Sequence, residues 1–130
     1  MERSEKFPPN CPPRQANEAS GEVYRLVDSD PPVDKDFLSL YELYPNKRGE
    51  DPDTECQRSG LSVHTEKSSA SKLIKRIPKF KNKKIAVGQL TPDLGLILNT
   101  PSRKNDSHHT WWVPAGKKPS MVFQVVDISK

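Results

Sequence analysis

The sequence predicts an α+β fold: a small mixed or mainly antiparallel sheet of about five strands, two helices and an extended N-terminal arm. Segments with helical spacing of apolar residues lie before residue 78, whereas most segments rich in β-branched residues come after it. Helices and strands that are separated along the chain in this way are typical of α+β domains. A proline-rich, polar N-terminus accounts for the predicted arm.

Residues 1–20 differ in composition from the rest of the chain. They contain four of the 13 prolines and, beyond Met1, one large apolar side chain, Phe7. Such a segment buries too little apolar surface to offset the entropy cost of ordering, so we expect a disordered arm over 1–20 and a single domain over 21–130. Because Cys11 falls in this arm, we expect no structural disulfide with Cys56, which suits a reducing compartment.

The first half of the domain is predicted to hold one strand, one helix and a long loop. The strand covers 22–27, where β-branched and aromatic residues are concentrated. Asp34 is the expected N-cap of a helix over about 34–43, which ends before Pro45. The polar segment 45–58 is predicted to be a loop.

The second half is predicted to be mainly strands. A short strand at 60–64 precedes a helix that Thr65 caps and Pro78 ends. The apolar face of this helix consists of Ala70, Leu73, Ile74 and Ile77. Further strands are predicted over 84–90, 95–99, 107–113 and 120–128.

Charge is distributed unevenly along the chain. Residues 1–58 carry 8 basic and 13 acidic side chains, and residues 59–130 carry 13 basic and 4 acidic ones, which gives −5 and +9. Clustered cations of this kind neutralise phosphates and predict affinity for nucleic acid or a nucleotide. A solvated face that only maintains solubility is the alternative. The predicted ligand-binding cations are Lys72, Lys75, Arg76, Lys79, Lys81, Lys83 and Lys84.

Two histidines and both tryptophans lie close together near the C-terminus. His108 and His109 are adjacent on a predicted strand, so they face opposite sides, and one of them is a candidate general acid–base group. A core or surface histidine with its hydrogen bonds satisfied is the alternative. Because His64 and the cysteines lack zinc-like spacing to this pair, no metal site is predicted. Trp111 and Trp112 also alternate, so we expect one in the core and the other on a ligand-binding surface.

Arg25 is an unusual residue for the middle of an apolar strand. Arginine is seldom fully buried without a partner, and a guanidinium there could bind a phosphate or a carboxylate with two hydrogen bonds. A solvent-facing position on a half-exposed strand is the alternative explanation.

Several short motifs carry a resemblance to known proteins. They are Tyr24-Arg25-Leu26-Val27, Asp36-Phe37-Leu38-Ser39, Gly60-Leu61-Ser62-Val63, an amphipathic helix, Ile85-Ala86 and a His-Thr-x-Trp segment. Over most of residues 22–127 this arrangement resembles small uncharacterised bacterial proteins.

More distantly, the pattern is similar to the ADP-ribosyltransferase superfamily. That resemblance implies that Arg25 holds the diphosphate of NAD and that Ser62 lies on a strand that shapes the nicotinamide pocket. His64 and either His108 or His109 would complete a variant catalytic site. The late-strand glutamate of that family has no counterpart, since only Asp93, Asp106 and Asp127 follow Glu66 among the acidic residues.

The predicted function is therefore non-catalytic binding of a phosphate-bearing ligand, RNA or a nucleotide, by a soluble, cytoplasmic protein. Arg25 and a Trp111/Trp112 face would assist the cations. Two alternatives remain open: an ADP-ribosyltransferase-like enzyme or toxin that uses NAD, and a protein-interaction module whose acidic first half meets a basic partner. No cofactor is expected except NAD in the enzyme alternative. No membrane partner is expected, since no apolar run approaches the roughly 18 residues that cross a bilayer.

Overall fold

One antiparallel sheet of seven strands forms the centre of the protein in a computed structural model. The structure describes residues 7–47 and 51–126. The strands are β1 (Asn17–Glu18), β2 (Gly21–Val27), β3 (Leu61–His64), β4 (Lys84–Leu90), β5 (Leu96–Asn99), β6 (His108–Trp112) and β7 (Phe123–Val126). Their order across the sheet is β1-β5-β6-β3-β2-β4-β7.

Three short α-helices accompany the sheet: α1 (Leu40–Leu43), α2 (Pro52–Arg58) and α3 (Lys67–Arg76). Turns of 3-10 helix cover Asp34–Phe37, Pro78–Phe80, Pro92–Leu94 and Pro119–Met121. The predicted α+β class is confirmed, and residues 7–47 and 51–126 contain seven strands and three α-helices, where about five and two were predicted. Within the described residues, none of the helices has the length and apolar character that crossing a bilayer requires.

The sheet has a seam between β2 and β3. Strand β2 pairs with β4 over its full length, from Gly21 opposite Leu90 to Val27 opposite Lys84. It pairs with β3 at a single position, Tyr24 opposite His64. The four strands β1, β5, β6 and β3 are therefore joined to the three strands β2, β4 and β7 by one backbone pair, and side chains must complete the connection.

Apolar side chains pack into two separate clusters. The larger one contains residues from six strands and from two of the 3-10 turns, among them Val23, Val63, Trp111, Phe37 and Phe123. The smaller one contains Phe7, Cys11, Cys56 and Trp112. Because adjacent residues of a strand point to opposite faces, Trp111 and Trp112 belong to different clusters, one on each face of β6.

The N-terminal segment differs from its prediction. Residues 7–20 pack against the domain instead of forming a disordered arm: Phe7 is buried, β1 pairs with β5, and the Ala19 amide donates to the Gly95 carbonyl (2.8 Å). Composition alone underestimates the apolar surface that this segment buries, because its few apolar side chains pack against side chains from elsewhere in the chain. Residues 1–6 of the predicted arm lie outside the described residues.

A disulfide joins this segment to α2. Cys11 and Cys56 are bonded, with their Cα atoms 5.5 Å apart, so the expectation of no structural disulfide is wrong. That expectation followed from treating Cys11 as part of a disordered arm. The inference of a reducing compartment loses its premise, and the cytoplasmic location stays a prediction.

The predicted helix over 34–43 is divided into two pieces. Leu38 adopts an extended conformation after the 3-10 turn, and Ser39 caps α1 by accepting from the Glu42 amide (3.2 Å). Asp34 is not the N-cap, whereas the carboxylate of Asp36 accepts from the backbone amides of Asp28 and Val33 (2.9 Å each). A 3-10 turn, held by the hydrogen bonds of Asp36, thus forms where the first turns of the helix were predicted.

Other boundaries differ by less. Helix α2 lies inside the predicted loop 45–58, of which residues 48–50 are outside the described residues. Its start carries two standard signals, Asp51 as N-cap (2.8 Å to the Thr54 amide) and Pro52 at the first helical position. Helix α3 begins after Glu66 rather than directly after Thr65. The last strand is shorter than the predicted 120–128, and residues 127–128 are outside the described residues.

Gly95 is required where β5 passes close to β6. It has a positive φ of 111°, and an added Cβ would overlap the Trp112 carbonyl oxygen and lie 2.8 Å from Pro114 Cδ. Gly116 has a similar φ of 84° but no atom within 4 Å of the same position. Substitutions at these two glycines therefore distinguish the cost of the backbone conformation from the cost of a steric collision.

We predict that Gly95→Ala lowers the free energy of unfolding by about 3 kcal/mol or more, through backbone strain and a clash with the backbone. Gly116→Ala should cost only about 1–2 kcal/mol, because the left-handed conformation is its one penalty. Urea unfolding of both variants measures this difference. Equal losses would show that the close approach at Gly95 does not exist.

Candidate functional site

A strip of polar side chains runs across one face of the sheet. Ser62 lies opposite Thr110, and His64 lies opposite His108, in the pairing of β3 with β6. Residues that oppose one another in an antiparallel pair share a face, so these four side chains point to the same side. Val63 and His109 form the pair between them and point to the other side.

His108 is the centre of this strip. Its Nδ1 lies 2.8 Å from the Thr100 carbonyl oxygen and 2.9 Å from Thr100 Oγ1, and its Nε2 lies 3.1 Å from Ser62 Oγ. A carbonyl oxygen can only accept, so Nδ1–H donates to Thr100. In the neutral ring Nε2 is then the acceptor, and the Ser62 hydroxyl donates to it. Thr100 Oγ1 also contacts Thr110 Oγ1 (2.8 Å), which extends the network to β6.

The His108 ring is held in its neutral form. Burial lowers the pKa of His108 below its usual value, and the neighbouring His109 acts in the same direction, while the hydrogen bond to the Thr100 carbonyl opposes them. Because the usual histidine pKa is about 6.5, the ring is uncharged near neutral pH. An uncharged imidazole with a free lone pair on Nε2 can accept a proton from a hydroxyl.

His64 is the buried neighbour of His108. Its ring is 3% exposed and meets the His108 ring edge-on, with centroids 5.6 Å apart. The Asn105 amide nitrogen donates to His64 Nδ1 (2.9 Å). Burial lowers the pKa of His64 to about 4, and the charges of His108, Arg25 and His109 add to this effect. His64 is therefore neutral in the folded protein at neutral pH.

Arg25 fills the seam between β2 and β3. Its Nε donates to the Asp36 carbonyl (3.0 Å), and Nη1 donates to the Ser62 carbonyl (2.8 Å). The guanidinium carbon stands 5.6 Å from the centre of the Phe37 ring. Burial lowers the pKa of Arg25 to about 10, an effect that the charge of Asp36 opposes, so Arg25 stays protonated at neutral pH. Arg25 thus fixes the backbone at Ser62 from the side opposite to His108.

The predicted site residues therefore fall into two groups. Ser62, His64 and His108 come together on one face of the sheet beside the seam, and Arg25 reaches only the backbone carbonyl of Ser62, from the other face. His109 does not join them, because it points to the other face, where its Nδ1 lies 2.8 Å from the Ser107 carbonyl. Two residues of the network were missed by sequence analysis: Thr100 and Asn105. Their only sequence signal is their position in the polar loop before β6.

Both tryptophans are buried, so the predicted exposed Trp111/Trp112 face does not exist. Trp111 is 0% exposed and Trp112 is 1% exposed. Trp111 Nε1 donates to the Leu94 carbonyl (2.8 Å), and Trp112 Nε1 donates to the Cys56 carbonyl (2.9 Å). The prediction failed because it allowed for one covered face of the sheet, whereas the N-terminal segment and α2 cover the other face at Trp112.

The predicted cations also divide into two groups. Lys83 and Lys84 are half-buried and bind Asp28, Lys83 through its carboxylate (3.0 Å) and Lys84 through its carbonyl (3.1 Å). The other five are exposed and are here called the basic surface: Lys72, Lys75, Arg76, Lys79 and Lys81. Over residues 7–47 and 51–126, no carboxylate forms an ion pair with any of these five.

The described part of the chain contains no cluster of three or more His, Cys, Asp and Glu side chains placed to bind a metal ion. Comparisons with protein-family models, with curated proteins and with solved structures give no match to this chain.

We predict that the buried His64 makes the stability depend on pH. Its folded pKa of about 4 lies below the unfolded value of about 6.5. The unfolded chain therefore takes up a proton first, and stability that is complete above pH 6.5 is lost as the pH falls toward 4, by about 3 kcal/mol.

Urea unfolding between pH 4 and 7.5 tests this expectation, with His64→Gln as the comparison. Glutamine retains an acceptor for Asn105 but does not titrate. The free energy of unfolding of the variant should be flatter over this range than that of the wild type. Parallel profiles would show that His64 is not a buried neutral imidazole.

Proposed function

We propose that this protein binds a phosphate-bearing ligand, RNA or a nucleotide, through the basic surface. The observation that supports this proposal is five exposed cations with no carboxylate partner in the described residues, within one stretch of ten residues. Cations clustered in this way neutralise phosphates and release the counterions condensed on a nucleic acid, which favours binding. The nearest acidic residues in sequence are Glu66 and Asp93, on either side of the stretch.

The helix dipole explains the positions of only some of the cations in the basic surface. Lys75 and Arg76 lie in the last turn of α3, where cations interact favourably with the helix dipole. Lys79 and Lys81 lie beyond the helix, in and after the 3-10 turn that Pro78 begins. The helix dipole does not stabilise cations at these positions. A phosphate backbone that contacts the end of α3 could also contact Lys79 and Lys81 along the connector.

The ligand should be recognised by charge rather than by base identity. Stacking on aromatic side chains is the usual way to hold single-stranded bases, but Trp111 and Trp112 are buried. Phe80 is half-buried and already carries Lys79 Nζ at 5.4 Å from its ring centre. Contacts to phosphates alone fix a nucleic acid without reading its sequence.

We predict that the double variant Lys75→Glu/Arg76→Glu binds a fluorescent single-stranded RNA at least tenfold more weakly, a loss of about 1.4 kcal/mol. The matched control is Arg103→Glu/Lys104→Glu, which reverses two exposed cations in the loop between β5 and β6. Each variant reverses two charges and so brings the net charge from +4 to 0. Equal weakening in both would reduce the effect to net charge and contradict a defined surface.

The second candidate, an ADP-ribosyltransferase-like enzyme, is favoured by one contact. Arg25 and Ser62, the two residues that the family resemblance relates to NAD, lie on neighbouring strands and share a hydrogen bond of 2.8 Å. Calorimetric titration with NAD, which needs no bound RNA, separates the candidates. NAD binding that survives Lys75→Glu/Arg76→Glu but is lost in Arg25→Lys would favour the enzyme, since lysine keeps the charge without the bidentate geometry of arginine.

A further inference from the structure

We propose that Ser62 is a nucleophile activated by His108, and that this pair transfers the acyl group of a carboxylic ester to water. The inference does not depend on ligand binding by the basic surface. It is based on three groups in series: Ser62 Oγ lies 3.1 Å from His108 Nε2, and His108 Nδ1 lies 2.8 Å from the Thr100 carbonyl oxygen. A nucleophile, a base and a group that orients the base are the parts that this chemistry requires.

The Thr100 carbonyl decides the direction of proton transfer. If Nδ1 faced a hydroxyl alone, either tautomer of His108 would satisfy the network. The carbonyl oxygen only accepts, so the neutral ring carries its hydrogen on Nδ1 and offers a lone pair on Nε2 to the Ser62 hydroxyl. When His108 becomes protonated, the Thr100 carbonyl still accepts from Nδ1–H. The network therefore accommodates the charged ring that proton abstraction creates.

Ser62 is accessible, unlike the rest of the network. It is exposed although β3 is the fourth of seven strands, whereas Thr110 beside it is 2% exposed and His108 is half-buried. A hydroxyl in the centre of a sheet is normally covered by packing. A substrate can thus reach Ser62 Oγ from solvent while the base behind it is shielded.

The position of Ser62 is fixed from two sides. Its backbone belongs to β3, which pairs with β6 from Leu61 to His64, and its carbonyl accepts from Arg25 Nη1 across the seam. Arg25 is a positioning residue in this account.

The reaction is balanced with water as the co-reactant. Ser62 Oγ bonds to the carbonyl carbon of the ester as its proton passes to His108 Nε2. The carbon–oxygen bond to the alcohol then breaks, and the alcohol leaves with the proton from His108. Water then attacks the acyl carbon on Ser62 as it gives a proton to His108. The bond between that carbon and Ser62 Oγ breaks, the acid is released, and His108 returns the proton to Ser62 Oγ.

Diisopropyl fluorophosphate is the first probe. Ser62 Oγ should bond to phosphorus, fluoride leaves, and the proton passes through His108 to solvent. Peptide mass spectrometry locates the adduct, and the wild-type protein contains its own control, because Ser102 is exposed but lies outside this network. We expect labelling of Ser62 at least 100-fold faster than of Ser102, in line with general base catalysis. Equal rates at Ser62 and Ser102, or no adduct at Ser62, would overturn the proposal.

The variants His108→Gln and Ser62→Ala identify the roles of the pair. His108→Gln should slow labelling of Ser62 by about 100-fold or more, since glutamine does not accept the proton. Hydrolysis of p-nitrophenyl acetate should fall by a similar factor in both variants relative to wild type. Circular dichroism checks that each variant is folded, and unfolding the wild type in urea should bring Ser62 to the rate of Ser102. Hydrolysis that persists unchanged in folded Ser62→Ala would contradict the acyl-transfer role.

Discussion

The guanidinium of Arg25 holds the two halves of the sheet together. Strands β2 and β3 share one backbone pair, at Tyr24 and His64, and the next connection is the bond from Arg25 to the Ser62 carbonyl. The same guanidinium reaches the Asp36 carbonyl and the face of Phe37, so it also fixes the turn that covers the larger core. A buried cation is costly unless its donors are satisfied, which makes these carbonyls part of the stability of the sheet.

Two chemically different regions result from this arrangement. Around the seam, neutral histidines and hydroxyls form a partly shielded network in which Ser62 is the accessible member. Along the end of α3 and its connector, exposed cations remain without carboxylate partners among the described residues. The first region carries the proposed proton transfer between Ser62 and His108, and the second is the proposed phosphate-binding surface. Neither requires the other, so each can be tested on its own.

The sequence predicted what depends on local patterns. Alternation of apolar residues located β2 and β4 closely, and the apolar face of α3 gave its extent to within a few residues. Long-range partners could not be predicted. Cys11, Phe7 and Trp112 are buried by one another across more than 100 residues of chain, and neither composition nor spacing reports such a contact. Arg25 and Ser62 were named as site residues, but Thr100 was not, because a backbone carbonyl has no sequence signature.

The salt dependence of RNA binding tests the central functional claim most directly. If the five cations of the basic surface each neutralise one phosphate of a single strand, log Kobs should fall against log salt concentration with a slope of about −3 to −4. Fluorescence anisotropy between about 0.05 and 0.2 M salt covers a range in which screening is substantial. A slope in that range would agree with binding through the basic surface. A slope near zero, or the absence of binding at the lowest salt concentration, would contradict it.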